Sequence, residues 1–400
     1  MTDAAAIHQS RFGMTPSVVV KSPGRINLIG EHTDYCGLPV LPMAIREGIE
    51  IAASESTEPG LVAVSTLDDS VVSSVATTQR RGWAKYVLAV LDQIGPSVAD
   101  RGARLAIDSD LPATGGLSSS SALSVGCLIA LGELWGLALT PDGIVAAAVA
   151  AERAAAIAGG AMDQTVITLA RPGHALRIEF DPPSRRHIQM PDDFVWVAGY
   201  SGTKAAKGES AAAAYNSFVL ASRAAAAVLA EQLGRDAGKP PLLSRVGDAA
   251  PDQIAALPAM SVQTAAAITG GDRLGLDVRR MLNLRMSAEH VLSEAARVDT
   301  AERALRAGDI RAMGRVVDAS HASLQIYGAS TVSLDALVFA AREAGAAGAR
   351  LTGAGFGGWA IALTAPERAD SVRAAMEAAC GGPAFIAEAG GGALWSLNAE

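Results

Sequence analysis

Residues 22–42 crowd Arg25, Asn27, Glu31, His32, Asp34 and Tyr35 between two apolar runs, Val18-Val19-Val20 and Val40-Leu41. A connection that merely joins two strands has no need of a cation, two carboxylates and an imidazole. A pocket for a polyhydroxylated ligand does, because every hydroxyl taken out of water must find a partner. The plainer reading, a solvated loop with scattered charges, explains the charges but not their confinement between apolar runs.

A second segment, Leu111-Pro-Ala-Thr-Gly-Gly-Leu-Ser-Ser-Ser-Ser-Ala-Leu123, follows a predicted strand at 103–108 and opens a predicted helix at 116–136. Gly115 and Gly116 let backbone approach a ligand closely. Ser118, Ser119, Ser120 and Ser121 place hydroxyl and N–H groups at a helix N-terminus, which is an anion site on physical grounds. Capping alone needs one such hydroxyl, not four. No Gly-x-x-x-x-Gly-Lys-Ser/Thr string occurs, so this is not a Walker loop, and the His-Arg-Asp and Asp-Phe-Gly strings of protein kinases are missing too. A third segment, Arg350-Leu-Thr-Gly-Ala-Gly-Phe-Gly-Gly-Trp359, contains Gly-x-Gly-x-x-Gly at 353, 355 and 358. A strand reading for 359–364, not a helix, follows it, which argues against a dinucleotide fold.

The 400 residues suffice for two domains, and half of them are hydrophobic with 18% charged, as in ordinary globular proteins. A net charge of -8 without a long basic run argues against nucleic acid as a partner. Cys36, Cys127 and Cys380 show neither zinc spacing nor a disulfide framework. The N-terminus lacks the regions of a signal peptide, and the apolar stretch 123–139 reads as a buried helix, so no membrane partner is expected and the cytoplasm is the expected location. Strands are predicted at 17–20, 49–54, 61–65, 103–108 and 193–199, helices at 116–136, 141–157 and 210–233. A long helix from 284, another at 299–308, one near 334–345 and a strand-turn-strand unit over 349–364 follow. The Pro-containing stretch 181–186 marks the expected domain boundary, and 234–275 reads as loop-rich.

Gly24-Arg-Ile-Asn-Leu-Ile-Gly-Glu-His-Thr-Asp-Tyr35 closely resembles the N-terminal signature of galactokinases, members of the GHMP small-molecule kinase superfamily. The serine run resembles the second GHMP motif, departing from it at Thr114 and Ser121-Ala122, and 353–358 resembles the third. Gly159-Gly-Ala-Met-Asp-Gln164 resembles the galactokinase string around an aspartate that faces the anomeric hydroxyl. The resemblance implies an α+β, two-domain GHMP kinase fold, with a ribosomal-S5-like N-terminal half (1–185) and a ferredoxin-like C-terminal half (186–400). It implies transfer of the γ-phosphoryl of ATP, with Mg²⁺, to the C1 hydroxyl of galactose.

By the same resemblance Arg25 and Asp163 are catalytic, and Arg25 is the expected partner of Asp163, since an unpaired carboxylate in an apolar setting is expensive. Glu31, His32, Asp34, Gly160 and Tyr215 bind the sugar. Gly115, Gly116, Ser118, Ser119, Ser120 and Trp83 serve ATP, while Ser119 and Glu152 hold the metal, oxygen donors suiting a hard cation. Trp83 and Tyr86 also fit a helix core, and Glu152 also fits an exposed pair with Arg153. Cys36, Leu38, Lys204 and Lys207 depart from the galactokinase pattern. They leave open a related sugar (arabinose, N-acetylgalactosamine or galacturonate) and a non-catalytic sugar sensor. A monomer or weak homodimer is expected.

Overall fold

The computed structural model describes residues 3–66, 68, 70–75, 80–95, 100–112, 116–154, 159–203 and 209–394. The chain divides into two compact units, one of Met1–Arg25, Met43–His174 and Ala389–Glu400, the other of Ile26–Pro42 and Ala175–Glu388. No single cut near 185 separates them. The stretch at 181–186 is turn and strand start of a hairpin inside the second unit, so its prolines mark a reversal of the chain and not a linker.

The first unit opens on a helix not anticipated from sequence, α1 (Ala4–Phe12), where Asp3 accepts from the N–H of Ala6 and Gly13 closes the end in the left-handed region. Five strands follow: β1 (Val18–Ile29), β2 (Leu41–Ser56), β3 (Gly60–Ser65), β4 (Val71–Ser73) and β5 (Gly102–Ser109), in sheet order β1-β2-β5-β3-β4. β1 lies at the sheet edge, where Pro23 is tolerated despite its missing N–H. It runs on through Arg25 and Asn27, so two of the six polar signature residues are in the strand. Among the described residues the unit also holds α2 (Ala84–Ile94), α3 (Ser119–Trp135), α4 (Pro141–Ala154) and α5 (Met162–Leu169). α3 is buried on every side from Ser121 to Gly132, as an apolar-all-round helix must be. Its Gly126 has no room for a Cβ, which would fall 2.4 Å from Ile51 Cδ1 and 2.9 Å from Ser22 Cβ. An alanine there would cost about 1–3 kcal/mol of overpacking.

The second unit pairs β6 (His174–Phe180) with β7 (Pro183–Gln189), and builds a four-stranded antiparallel sheet in the order β11-β12-β8-β13. Its strands are β8 (Val195–Tyr200), β11 (Gly348–Thr352), β12 (Trp359–Thr364) and β13 (Ala384–Ala387), with β9 (Ala259–Ser261) and β10 (Met281–Asn283) forming a separate pair. The helices are α6 (Glu209–Leu233), α7 (Pro251–Ala255), α8 (Val262–Thr269), α9 (Leu284–Ala307), α10 (Ile310–Tyr327), α11 (Val332–Glu343) and α12 (Ala369–Cys380). The predicted helix at 299–308 is the end of α9, because nothing breaks the chain before Gly308 caps it at φ +63. The loop-rich reading of 234–275 holds only between short elements, since α7, β9 and α8 lie within it. Among the described residues, α6 contains the helix long and apolar enough to cross a membrane. Its Val219, Leu220, Ala224, Ala225 and Leu229 are fully buried in the second unit's core.

Candidate active site

The first unit carries a charge cluster at the N-terminus of α3. Arg25 projects from β1 and meets Asp163, in the first turn of α5, through two bonds: Nε to Oδ1 at 2.7 Å and Nη2 to Oδ2 at 2.7 Å. The third guanidinium nitrogen donates to the Gly116 carbonyl at 3.0 Å. A bidentate fork of this kind fixes orientation as well as charge. The Arg25 side chain is 7% exposed and that of Asp163 23%, so the open edge of the pair belongs to the carboxylate. Ser118 donates its hydroxyl to Asp163 Oδ2 from a left-handed backbone (φ +62), which turns the chain into α3. Ser119 and Ser120 occupy the first turn of α3, half-buried, where helical N–H groups have no intrahelical acceptor.

Glu152, near the end of α4, is buried and accepts from Gln164 Nε2 at 2.8 Å. Burial pushes its carboxyl up to about 7; hydrogen bonds from Ser121 and Gln164 oppose this, and the charge of Asp163 adds to it. The exposed pairing of Glu152 with Arg153 is therefore not what forms. The serine brought to Glu152 is Ser121. Gly160 is half-buried just ahead of α5. Trp83 is buried, and its indole N–H donates to Asp68 at 3.0 Å. Gly115, Lys204 and Lys207 lie outside the described residues.

The second unit holds the rest of the signature. After β1 the chain turns at Gly30 (φ +97) and His32 (φ +63), then enters a short 3₁₀ turn at Asp34–Cys36. A Cβ on Gly30 would fall 2.8 Å from the Val40 Cα, so this reversal requires glycine. Glu31 is buried; its Oε1 accepts the Gly353 N–H at 2.9 Å and lies 3.1 Å from Arg350 Nη2. Asp34 is half-buried at the start of the 3₁₀ turn. His32 shares a hydrogen bond with the Tyr35 hydroxyl at 3.1 Å, and its ring lies 5.7 Å from that of Tyr215 on α6. Burial, with His290 adding to it, lowers the His32 imidazole to about 3, so it is neutral. Burial likewise raises the Cys36 thiol far above its usual range.

The glycine loop 353–358 joins antiparallel β11 and β12, the strand reading that argued against a dinucleotide site. Gly353, Gly355, Phe356, Gly357 and Gly358 all have positive φ. A Cβ on Gly355 would fall 2.2 Å from the Ala329 carbonyl, so the close packing of that turn explains the glycine.

Two residues without an assigned role in the sequence analysis anchor this region. Glu294 of α9 is fully buried, accepting from the N–H groups of Gly30 and Glu31 at 3.0 and 3.3 Å and from Ser320 at 2.7 Å. Arg350 of β11, also fully buried, donates to the Leu28 carbonyl at 3.1 Å and lies between Glu31 and Glu294. The available signal is a charge on an apolar stripe: Glu294 shares a helix face with Val291, Ala295 and Val298, and Arg350 sits between Ala349 and Leu351 in a wholly buried strand.

The GHMP kinase N-terminal domain matches residues 84–171 and the GHMP kinase C-terminal domain matches 301–382, so the protein is a small-molecule kinase of the GHMP class. Mevalonate kinase shares the fold at 17% identity with a TM-score of 0.62, over 93% of this chain and 99% of that one. The galactokinase galactose-binding signature matches 6–55. A galactokinase of Chloroflexus aurantiacus is 33% identical over 93% of this chain and 90% of its own length. One from Bos taurus is 32% identical over 88% and 85%. A Lactococcus lactis galactokinase crystallised with galactose superposes with a TM-score of 0.78 at 27% identity, covering 97% of each chain. The chain belongs to the galactokinase family.

Proposed function

We infer that this protein phosphorylates galactose at its C1 hydroxyl, using ATP. The observation that carries the reading is the Arg25–Asp163 fork beside the N-terminus of α3. Phosphoryl transfer passes through a loose transition state in which positioning and electrostatics outweigh covalent chemistry. Asp163, through its more exposed oxygens, accepts the hydrogen bond of the attacking hydroxyl and orients it. Arg25 stabilises negative charge on that oxygen as the proton leaves. The N–H groups of α3's first turn, with Gly115 and Gly116 ahead of them, cradle phosphate oxygens.

The donor set fits Mg²⁺. Glu152 is a buried carboxylate bonded to a serine and an amide, with the Asp163 carboxylate near it, and such an ion is bound by one or two carboxylates completed by phosphates and water. When bound, the ion neutralises charge on the phosphates. Glu152 and a serine at the start of α3, Ser119 by the family pattern, would hold it. Glu31, His32, Asp34, Gly160 and Tyr215 bind the sugar in this reading. The protein acts on small molecules in the cytoplasm, as a monomer or weak homodimer. A coupled ADP-release assay over galactose, glucose, arabinose, N-acetylgalactosamine and galacturonate tests it. Turnover should be fastest with galactose; turnover with none would leave the sensor reading, and a better rate with another sugar would replace galactose.

A further inference from the structure

The turn that follows β1 is held by a buried ionic triad, Glu31–Arg350–Glu294, whose side chains are 4%, 0% and 0% exposed. Buried charges carry a desolvation penalty that apolar residues of similar size would not, so they are weak devices for stability alone. What this triad does is geometric. Glu294 Oε1 takes the N–H groups of Gly30 and Glu31 together with the Ser320 hydroxyl, while its Oε2 is fixed by Arg297 Nε at 2.7 Å. Both N–H groups lie at the backbone reversal that Gly30 and His32 make with positive φ. Arg350 ties Glu294 to the carboxylate of Glu31 and to the Leu28 carbonyl on the strand before the turn. His290, one turn before Glu294 on α9, lies 3.2 Å from the Glu31 carbonyl through its Nε2.

We propose that Glu294 is a positioning residue for the sugar, setting the backbone of Gly30–Glu31 and, through Arg350, the direction of the Glu31 carboxylate. The proposal rests on the reading that this turn contacts the sugar. Glu294 acts through Glu31 and touches neither nucleotide nor reacting atoms, so its loss falls on sugar affinity. In Glu294→Gln the amide oxygen keeps one acceptor for the turn, but the amide nitrogen faces Arg297 and the charge opposite Arg350 is gone. Glu294→Asp keeps the charge and shortens the reach.

The test measures steady-state kinetics on whichever sugar the wild-type chain phosphorylates, together with amide hydrogen exchange over residues 28–33. In Glu294→Gln, KM for the sugar should rise at least ~5-fold, with kcat and KM for ATP within ~2-fold of wild type. Exchange over 28–33 should quicken while that of β8 and β12 stays put, and Glu294→Asp should fall between the two. An unchanged sugar KM, equal shifts in both KM values, or unaltered exchange over 28–33 in the folded variant each overturn the proposal. Failure of the galactose reading shows separately, in the wild-type sugar panel, and unaltered exchange over 28–33 overturns the proposal even if no sugar turns over.

Discussion

Two buried glutamates, one in each unit, have opposite electrostatic fates. Glu152 is 6% exposed and neighboured by a serine, an amide and the like charge of Asp163; burial drives its carboxyl up to about 7. For Glu294, 0% exposed, burial works in the same direction, yet Arg350, His290 and Arg297 outweigh it and hold the carboxyl at about 2. Depth of burial therefore does not decide ionisation; the partners do. The second unit's acid is saturated by cations of its own chain and works as a brace. The first unit's acid is bonded to an amide and a serine, and the two charges near it, Asp163 and Arg25, act in opposite directions. Substitutions in the first unit should act on turnover and metal demand, and those in the second on sugar affinity and on the fold.

The largest expected effect tests whether the second unit discriminates sugars. Asp34 should read the C3 and C4 hydroxyls, with Glu31 and His32 at C6, and a site built around such hydrogen bonds can reject an analogue by roughly 10⁴-fold. Glucose should be a very poor substrate, Asp34→Ala should nearly abolish activity on galactose, and arabinose should lose less. Comparable kcat/KM for galactose and glucose would move discrimination out of this unit. Next, Asp163→Asn should keep ATP and sugar binding, measured by calorimetry, while kcat falls at least ~10²-fold, the range positioned acid–base groups contribute. Near wild-type kcat would leave the Arg25–Asp163 fork as an ion pair of the fold.

A smaller effect is expected from Glu152→Gln, which should raise the Mg²⁺ concentration for half-maximal rate several-fold, since an amide is a poorer ligand for a hard cation. An unmoved Mg²⁺ titration would remove the contrast between the two glutamates. The smallest effect concerns acid stability. His32 and His290, lowered by burial from 6.5 to about 3 and about 4, bind protons more readily unfolded than folded. Their stabilising contribution is complete above pH 6.5 and fades as the pH falls toward those values; that of Glu294 is complete above 4.5 and fades toward 2. Tm should thus decline from pH 6.5 to 4, and His290→Gln should make the decline shallower. An identical slope in the variant would assign the acid sensitivity to other groups.

Much of the first unit's cluster was legible because its residues lie in long strings of unusual composition. A cation at 25 and a carboxylate at 163, each costly alone in apolar surroundings, imply each other across 138 positions. Turn chemistry was harder to read: the prolines near 182 mark a hairpin, and the helix from Leu284 runs unbroken to Gly308 because 299–308 contains no earlier stop.

Local sequence by itself determined the strand and helix that flank the serine run, the strands on either side of the glycine loop, and the resemblance to galactokinases. Only the tertiary structure decided which side chains each motif leans on. Ser118 is given to Asp163, Ser121 to Glu152, and Trp83 to Asp68. Glu294 and Arg350 show the reason most plainly. A single glutamate on a helix and a single arginine on a strand match no string, and their cost in isolation would argue against burial. They become intelligible only when folding brings residues 31, 294 and 350 within reach of one another, because the energy of a buried charge is a property of its neighbours in space.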